Sequence, residues 1–152
     1  CPDSWAGASA CSGSEGLLLT PLSSSATDLL TTFMLALCIW REARGESMRG
    51  KRLVGQVIAN RVTDPRWPDD YVGVITQPWQ FSAFNKGDPN ALKFPSETDP
   101  AWPACVEAAR MVLEADEPFT DANHYHTTGV SPTWKNDAKV VAREGGHIFY
   151  AL

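Results

Sequence analysis

The chain lacks any apolar run approaching the ~20 residues that a membrane-spanning helix requires; its longest, Leu29 to Trp40, stops well short. It is short of positive charge, with 13 Lys and Arg against 18 Asp and Glu and a net charge of −5. A sequence-independent grip on nucleic-acid phosphates or on an anionic membrane is therefore excluded as the basis of binding. No HExxH string is present, and no two of the four cysteines (Cys1, Cys11, Cys38, Cys105) have the close spacing favoured by zinc. No internal repeat occurs. At 152 residues, with 43% hydrophobic and 20% charged residues, the composition is that of one globular domain with a core of its own.

What is present divides into two parts. Residues 1–26 are rich in Ser, Gly and Ala and read as a flexible leader with one sticky patch, Leu17 to Leu19, ahead of Pro21. The first residue is Cys1 rather than Met, which leaves processing, trimming and a chosen boundary open. Cys1 and Cys11 can form a local disulfide in an oxidising compartment, while Cys38 and Cys105 fall on apolar helical faces as small core residues.

Residues 27–152 carry the patterned sequence. Thr27 or Asp28 can cap a first helix so apolar all round that it belongs at the centre of the domain, with Gly45 as its terminator. Ser47 can cap a second helix carrying Leu53, Val54, Val57, Ile58 and Val62 on one face, where Gly50 and Gly55 admit a close neighbour. That helix ends before Asp64-Pro65, and Asp69-Asp70 opens a short helical piece reaching Ile75. The segment from Trp79 to Phe84 alternates loosely, as a strand or an irregular cleft wall does, and Lys86 to Thr98 is a loop. Asp99-Pro100 starts a third long helix, with Trp102, Cys105, Val106, Ala109, Val112 and Leu113 at helical spacing. Asn123 to Thr127 and His147 to Tyr150 read as strands separated by a loop, so the fold class is α+β and mainly helical.

The apolar helix breaks abruptly into Arg41-Glu42-Ala43-Arg44-Gly45-Glu46. Near a helix C-terminus the macrodipole disfavours negative charge, so Glu42 is held in its protonated form unless a cation compensates. A protonated carboxyl is what a general acid needs to protonate a glycosidic oxygen. If Arg41 and Arg44 turn away, Glu42 is such an acid; if they pair with it, it is a salt-bridged surface group. Glu46 shares the face of Glu42 only if the helix continues through Gly45, and otherwise serves as a cap or arginine partner.

His124, His126 and His147 all lie in the last third. The spacing of two puts His124 and His126 on one side of a strand, which can suit a metal and makes a zinc-dependent amidase or peptidase the competing enzyme class. Trp79, Phe81, Tyr125, Trp134, Phe149 and Tyr150 cluster near Gln80, Ser82, Asn123 and His124, a composition suited to a sugar-binding groove. Phe149 and Tyr150 fit the core better, whereas Trp79 and Trp134, in loops beside prolines, fit the cleft.

Six blocks occur in order: EARGE (Glu42 to Glu46), VIANRV (Val57 to Val62), QPWQFSAF (Gln77 to Phe84), HYH (His124 to His126), SPTW (Ser131 to Trp134) and GGHIFY (Gly145 to Tyr150). Together they resemble the SleB/CwlJ-type cell-wall hydrolases, a family of spore-cortex lytic enzymes and similar catalytic domains in phage lysins and Gram-negative bacteria. HYH and SPTW look more like the phage and Gram-negative branch, and no peptidoglycan-binding repeat precedes the blocks. The resemblance implies a lysozyme-like or lytic-transglycosylase-like domain that cuts peptidoglycan strands between N-acetylmuramic acid and N-acetylglucosamine. It makes Glu42 the catalytic acid and base, and places Glu46, Gln80, Phe81, Ser82, His124 and Tyr125 in the substrate groove, with Trp134 beside them. With it go the expectations of no metal or other cofactor, peptidoglycan glycan strands as partner, no nucleic acid and no membrane span, a monomer, and action in the bacterial envelope on the periplasmic or extracellular side. A non-catalytic glycan-binding module, with Glu42 structural, is the remaining alternative.

Overall fold

The computed structural model describes residues 24–152; Cys1, Cys11 and the Leu17 to Leu19 patch lie outside them. Four α-helices precede a small sheet: α1 (Ser24–Ala43), α2 (Met48–Val62), α3 (Tyr71–Thr76), α4 (Ala101–Leu113), then β1 (His124–Thr127), β2 (Lys139–Glu144) and β3 (His147–Ala151).

α1 is the central helix only in its second half. Leu35, Ala36, Leu37, Cys38 and Ile39 are each no more than 3% exposed, so this stretch is covered on every side, as its all-round apolarity requires. Towards the N-terminus Leu29 is 72% exposed and Phe33 42%, because the neighbouring elements close only around the later turns. The helix also begins at Ser24, ahead of the expected Thr27 or Asp28 cap.

Gly55 of α2 shows how tightly the three long helices meet. A Cβ there would lie 3.1 Å from both Ile39 of α1 and Val112 of α4, so the missing side chain sets their separation. α4 is tied to α1 by Asp99: its Oδ1 accepts from the Ala101 amide at 2.8 Å and its Oδ2 from Trp40 Nε1 at 2.9 Å. α2 and α3 start on the expected caps, with Ser47 Oγ accepting from the Gly50 amide and Asp70 Oδ1 from that of Gly73.

The sheet is antiparallel in the order β1-β3-β2, so the last strand in sequence is the middle one. β2 falls where a plain loop was expected. It is an exposed edge strand whose pairing shifts between Val140 and Ala142, and that irregularity erases the period-two signal. The Trp79 to Phe84 segment is a turn followed by a 3-10 turn, Ser82–Phe84, and not a strand.

Candidate active site

Glu42 occupies the penultimate position of α1, one residue before the helix gives way to the Arg44-Gly45 turn. Its side chain is partly buried, and Oε2 accepts a hydrogen bond from the Tyr125 hydroxyl at 3.1 Å. Neither flanking arginine pairs with it. The Arg41 guanidinium turns the other way and donates to the carbonyls of Ala83 (3.1 Å), Ala91 (3.0 Å) and Lys93 (3.1 Å), between the rings of Phe84 and Phe94. Arg44 lies over the Trp40 ring, 4.8 Å from its centroid, with Nη1 near the carbonyls of Trp40 and Arg41 that end the helix.

Without a cation at hand, Glu42 is held above the usual carboxylate range. Burial is the main cause; the Tyr125 hydrogen bond opposes it, and the negative charge of Asp88 adds to it. The Tyr125 hydroxyl is itself pushed well above its ordinary value by burial and by Glu42, so it keeps its proton and stays a donor. Behind them Cys38, one turn before Glu42 on α1, is a buried free thiol raised in the same way, and it acts as apolar packing.

Strand alternation decides which predicted groove residues join Glu42. Tyr125 faces the helices together with its cross-strand partner Phe149 and with His147, at ring distances of 5.5 and 5.4 Å. His124 and His126 point to the other side of the sheet, where Trp134 lies 4.9 Å from the ring of His124 and 5.3 Å from that of Tyr150. His124 and Trp134 are thereby separated from Glu42 by the sheet and belong to an aromatic cluster with Trp67 and Tyr150. Burial and the nearby Arg61 and Arg66 lower His124 to about 4, so its imidazole is neutral near neutral pH.

Phe81 is only 2% exposed and belongs to the core, so it backs the wall and presents no surface to a ligand. Gln80 and Ser82, on either side, are exposed. Gln80 Oε1 accepts from Arg61 at 3.2 Å, and Arg61 Nε donates to the carbonyl of Asn123 at 2.8 Å. Arg61, buried at the end of α2 over Trp67 and Phe81, thus bolts the wall to the strand that carries Tyr125. The apolar face of α2 gave no reason to single out this arginine, and only its place inside VIANRV marked it.

Glu46 is held in a structural role. Its Oε1 accepts from the Gly146 amide and meets His147 Nδ1, each at 3.2 Å, while Lys51 Nζ donates to its backbone carbonyl. Gly145 has φ +52, and a Cβ there would lie 1.7 Å from Glu46 Oε2, so the carboxylate fills the space a side chain would occupy. Glu144 completes the joint by accepting from Ser47 at 2.8 Å and Arg49 at 2.6 Å. The β2–β3 hairpin is thereby docked on the turn that ends the Glu42 helix.

The histidines do not converge, since His147 lies on the Glu46 side of the sheet and the other two on the far side. Among the described residues no group of three or more His, Cys, Asp or Glu side chains is placed to hold one metal ion. The arrangement at Glu42 is a single protonatable carboxyl with a neutral donor against it. Such a pair can give a proton, stand briefly as a stabilised carboxylate, and take a proton back.

Comparison with known proteins identifies the family and the fold. The Cell Wall Hydrolase family profile matches residues 45–150, beginning just after Glu42. Spore cortex-lytic enzymes of Halalkalibacterium halodurans and Bacillus subtilis are each 32% identical to the chain over 76% of its length. The chain spans only 33% and 36% of those two proteins. Among solved structures, the catalytic domain of the germination-specific lytic transglycosylase SleB from Bacillus anthracis superposes with a TM-score of 0.65 at 27% identity, over 79% of this chain and 93% of that one. The SleB catalytic domain of Bacillus cereus gives 0.62 at 28% identity, over 90% and 98%. The mainly helical, lysozyme-like α+β fold expected from the sequence is the one these domains share.

Proposed function

The chain belongs to the Cell Wall Hydrolase family, and from that premise we propose that it cleaves peptidoglycan glycan strands at the N-acetylmuramic acid to N-acetylglucosamine bond as a lytic transglycosylase. The observation that carries this reading is Glu42: partly buried, unpaired with any cation, raised in pKa and touched by the Tyr125 hydroxyl. Glu42 in its acid form protonates the glycosidic oxygen as the bond to the muramic acid C1 breaks, and the N-acetylglucosamine side leaves with a free hydroxyl. The resulting carboxylate, stabilised by Tyr125, removes the proton from the 6-hydroxyl of the same muramic acid. O6 then bonds to C1, closing a 1,6-anhydro ring and returning the acid to its starting form. One carboxyl suffices for this sequence. Glu46, the other acid of the EARGE string, is committed to Gly146 and His147 and is not free to serve as a second carboxylate.

Glu42 and Tyr125 act at the bond, Gln80 and Ser82 line the exposed wall, and Glu46 fixes the turn behind them. The protein works as a monomer in the bacterial envelope, on the periplasmic or extracellular side, as a lysin or an envelope-remodelling enzyme. Mass spectrometry of digested peptidoglycan tests the chemistry: products one water lighter than the reducing sugar are expected. Reducing muramic acid ends would overturn the transglycosylase assignment in favour of hydrolysis, and cleaved peptides would overturn the glycosidase reading altogether.

A further inference from the structure

The side chain of Trp79 is 86% exposed, and its backbone has φ +67, the one positive value at a non-glycine residue among those described. Pro78 precedes it, and the Gln80 amide closes back on the Gln77 carbonyl at 3.2 Å. Proline at the second position and positive φ at the third are the pattern of a type II turn, whose third position ordinarily goes to glycine. A tryptophan there meets a steric penalty that glycine would avoid, and its ring covers no core in return. The strained conformation is held by the Asn85 side chain, whose Oδ1 accepts from the Trp79 amide at 3.0 Å. Local stability therefore gives no reason for an indole at this position.

The place it is held in does. Trp79 lines a cavity of about 280 Å³ with Thr76, Pro78, Phe84, Asn85 and Lys86. Phe84 stacks on the guanidinium of Arg41, the residue before Glu42. Gln80, the residue after Trp79, is joined through Arg61 to the Asn123 carbonyl, two residues before Tyr125. The rim bearing the indole is thus tied at both ends to the elements that present the proposed acid and its donor. A flat, exposed aromatic face on a rigid rim with polar neighbours suits the apolar face of a pyranose ring.

We infer that Trp79 is a sugar-stacking platform, a subsite that binds the glycan strand at a ring removed from the bond being cut. This deepens the glycan-strand reading above and rests on it.

The test compares the parent with Trp79→Gly, Trp79→Ala and Trp79→Phe, using purified uncross-linked glycan strands, in thermal unfolding and in KM and kcat. A Glu42→Gln background supplies direct binding. Trp79→Gly is expected to unfold at the same or a higher temperature, since glycine relieves the positive φ, while binding weakens roughly 5- to 50-fold, mainly through KM. Trp79→Phe should retain most of the affinity. Opposite movement of stability and affinity is something a merely structural tryptophan would not give. Unchanged strand binding by Trp79→Gly, in a protein whose parent cleaves those strands, overturns the platform alone. Failure of the parent to cleave them overturns the glycan-strand reading and the platform with it.

Discussion

Glu42 lives between two demands that pull its proton in opposite directions. Burial and Asp88 favour the acid form, and Tyr125 favours the carboxylate. Replacing Glu42 with Gln should lower turnover of glycan strands by at least about 100-fold, the ordinary range for a general acid. The same change should leave the fold intact and raise its melting temperature at neutral and alkaline pH. A glutamate whose folded pKa is raised contributes stability that is complete below its ordinary pKa and lost as pH rises through the folded value, and glutamine escapes that loss. Two neighbours should move the alkaline limb of the kcat/KM profile in opposite senses. Tyr125→Phe removes the hydrogen bond to the carboxylate and shifts the limb to higher pH; Asp88→Asn removes a negative charge and shifts it to lower pH. A limb that stays still in both variants would mean that another group sets it.

Glycines with positive φ offer a second comparison at this scale. Gly87, at φ +91, has nothing within 4 Å of a built Cβ, whereas Gly145, at φ +52, has the Glu46 carboxylate there. Gly87→Ala should cost only the left-handed backbone strain, ~1–2 kcal/mol. Gly145→Ala adds displacement of the carboxylate from the Gly146 amide and His147, about 1–3 kcal/mol more. Equal losses in chemical denaturation would show that the Glu46 joint contributes little.

Among the elements, the helices were legible because their signals are local: a cap at Ser47 or Asp70, apolar spacing, a glycine stop. β2 was not, because an exposed edge strand with a bulge has neither burial nor period to betray it. The site was legible in part for the same reason. Glu42 stands out where an apolar helix ends, but whether Arg41 faces it depends on the carbonyls of the 83–93 loop, which no sequence spacing locates, while Arg44 folds back on Trp40 of its own helix. His124 and Trp134 sit in matching blocks, yet a two-residue strand period sends His124 to the far side from Tyr125, and Trp134, in the 3-10 turn Thr133–Asn136, packs on it there. Arg41→Met should release that loop from α1, leaving the buried Ala83 carbonyl unpaired at a cost of about 1–3 kcal/mol, with lower activity and faster proteolysis between residues 86 and 98. The far side of the sheet has its own signature. His124, depressed to about 4, favours folding when neutral, so its contribution is present at neutral pH and lost as pH falls from the ordinary histidine range towards that value. His124→Gln should flatten the acid side of the stability curve over that interval.

At the level of the whole molecule, the proposed acid is rigid because two separate pieces close on the end of α1. The 83–93 loop is clamped by Arg41, and the hairpin is docked through Glu46 and Glu144. Neither piece is near α1 in sequence, and the domain must be assembled before the carboxyl has its surroundings. The strand order β1-β3-β2 then bears on when the candidate site is completed during synthesis. β1 carries Tyr125, but its sheet partner β3 is made after both β1 and β2. A nascent chain that already displays Glu42 on a formed helix is still without the strand that pairs with β1 and holds Tyr125 in place, so the surroundings of Glu42 are incomplete until residues 147–151 have emerged. A chain stopped after Gly146 should accordingly keep helical circular dichroism while losing lytic activity, and restoring those residues in the same chain should bring the activity back.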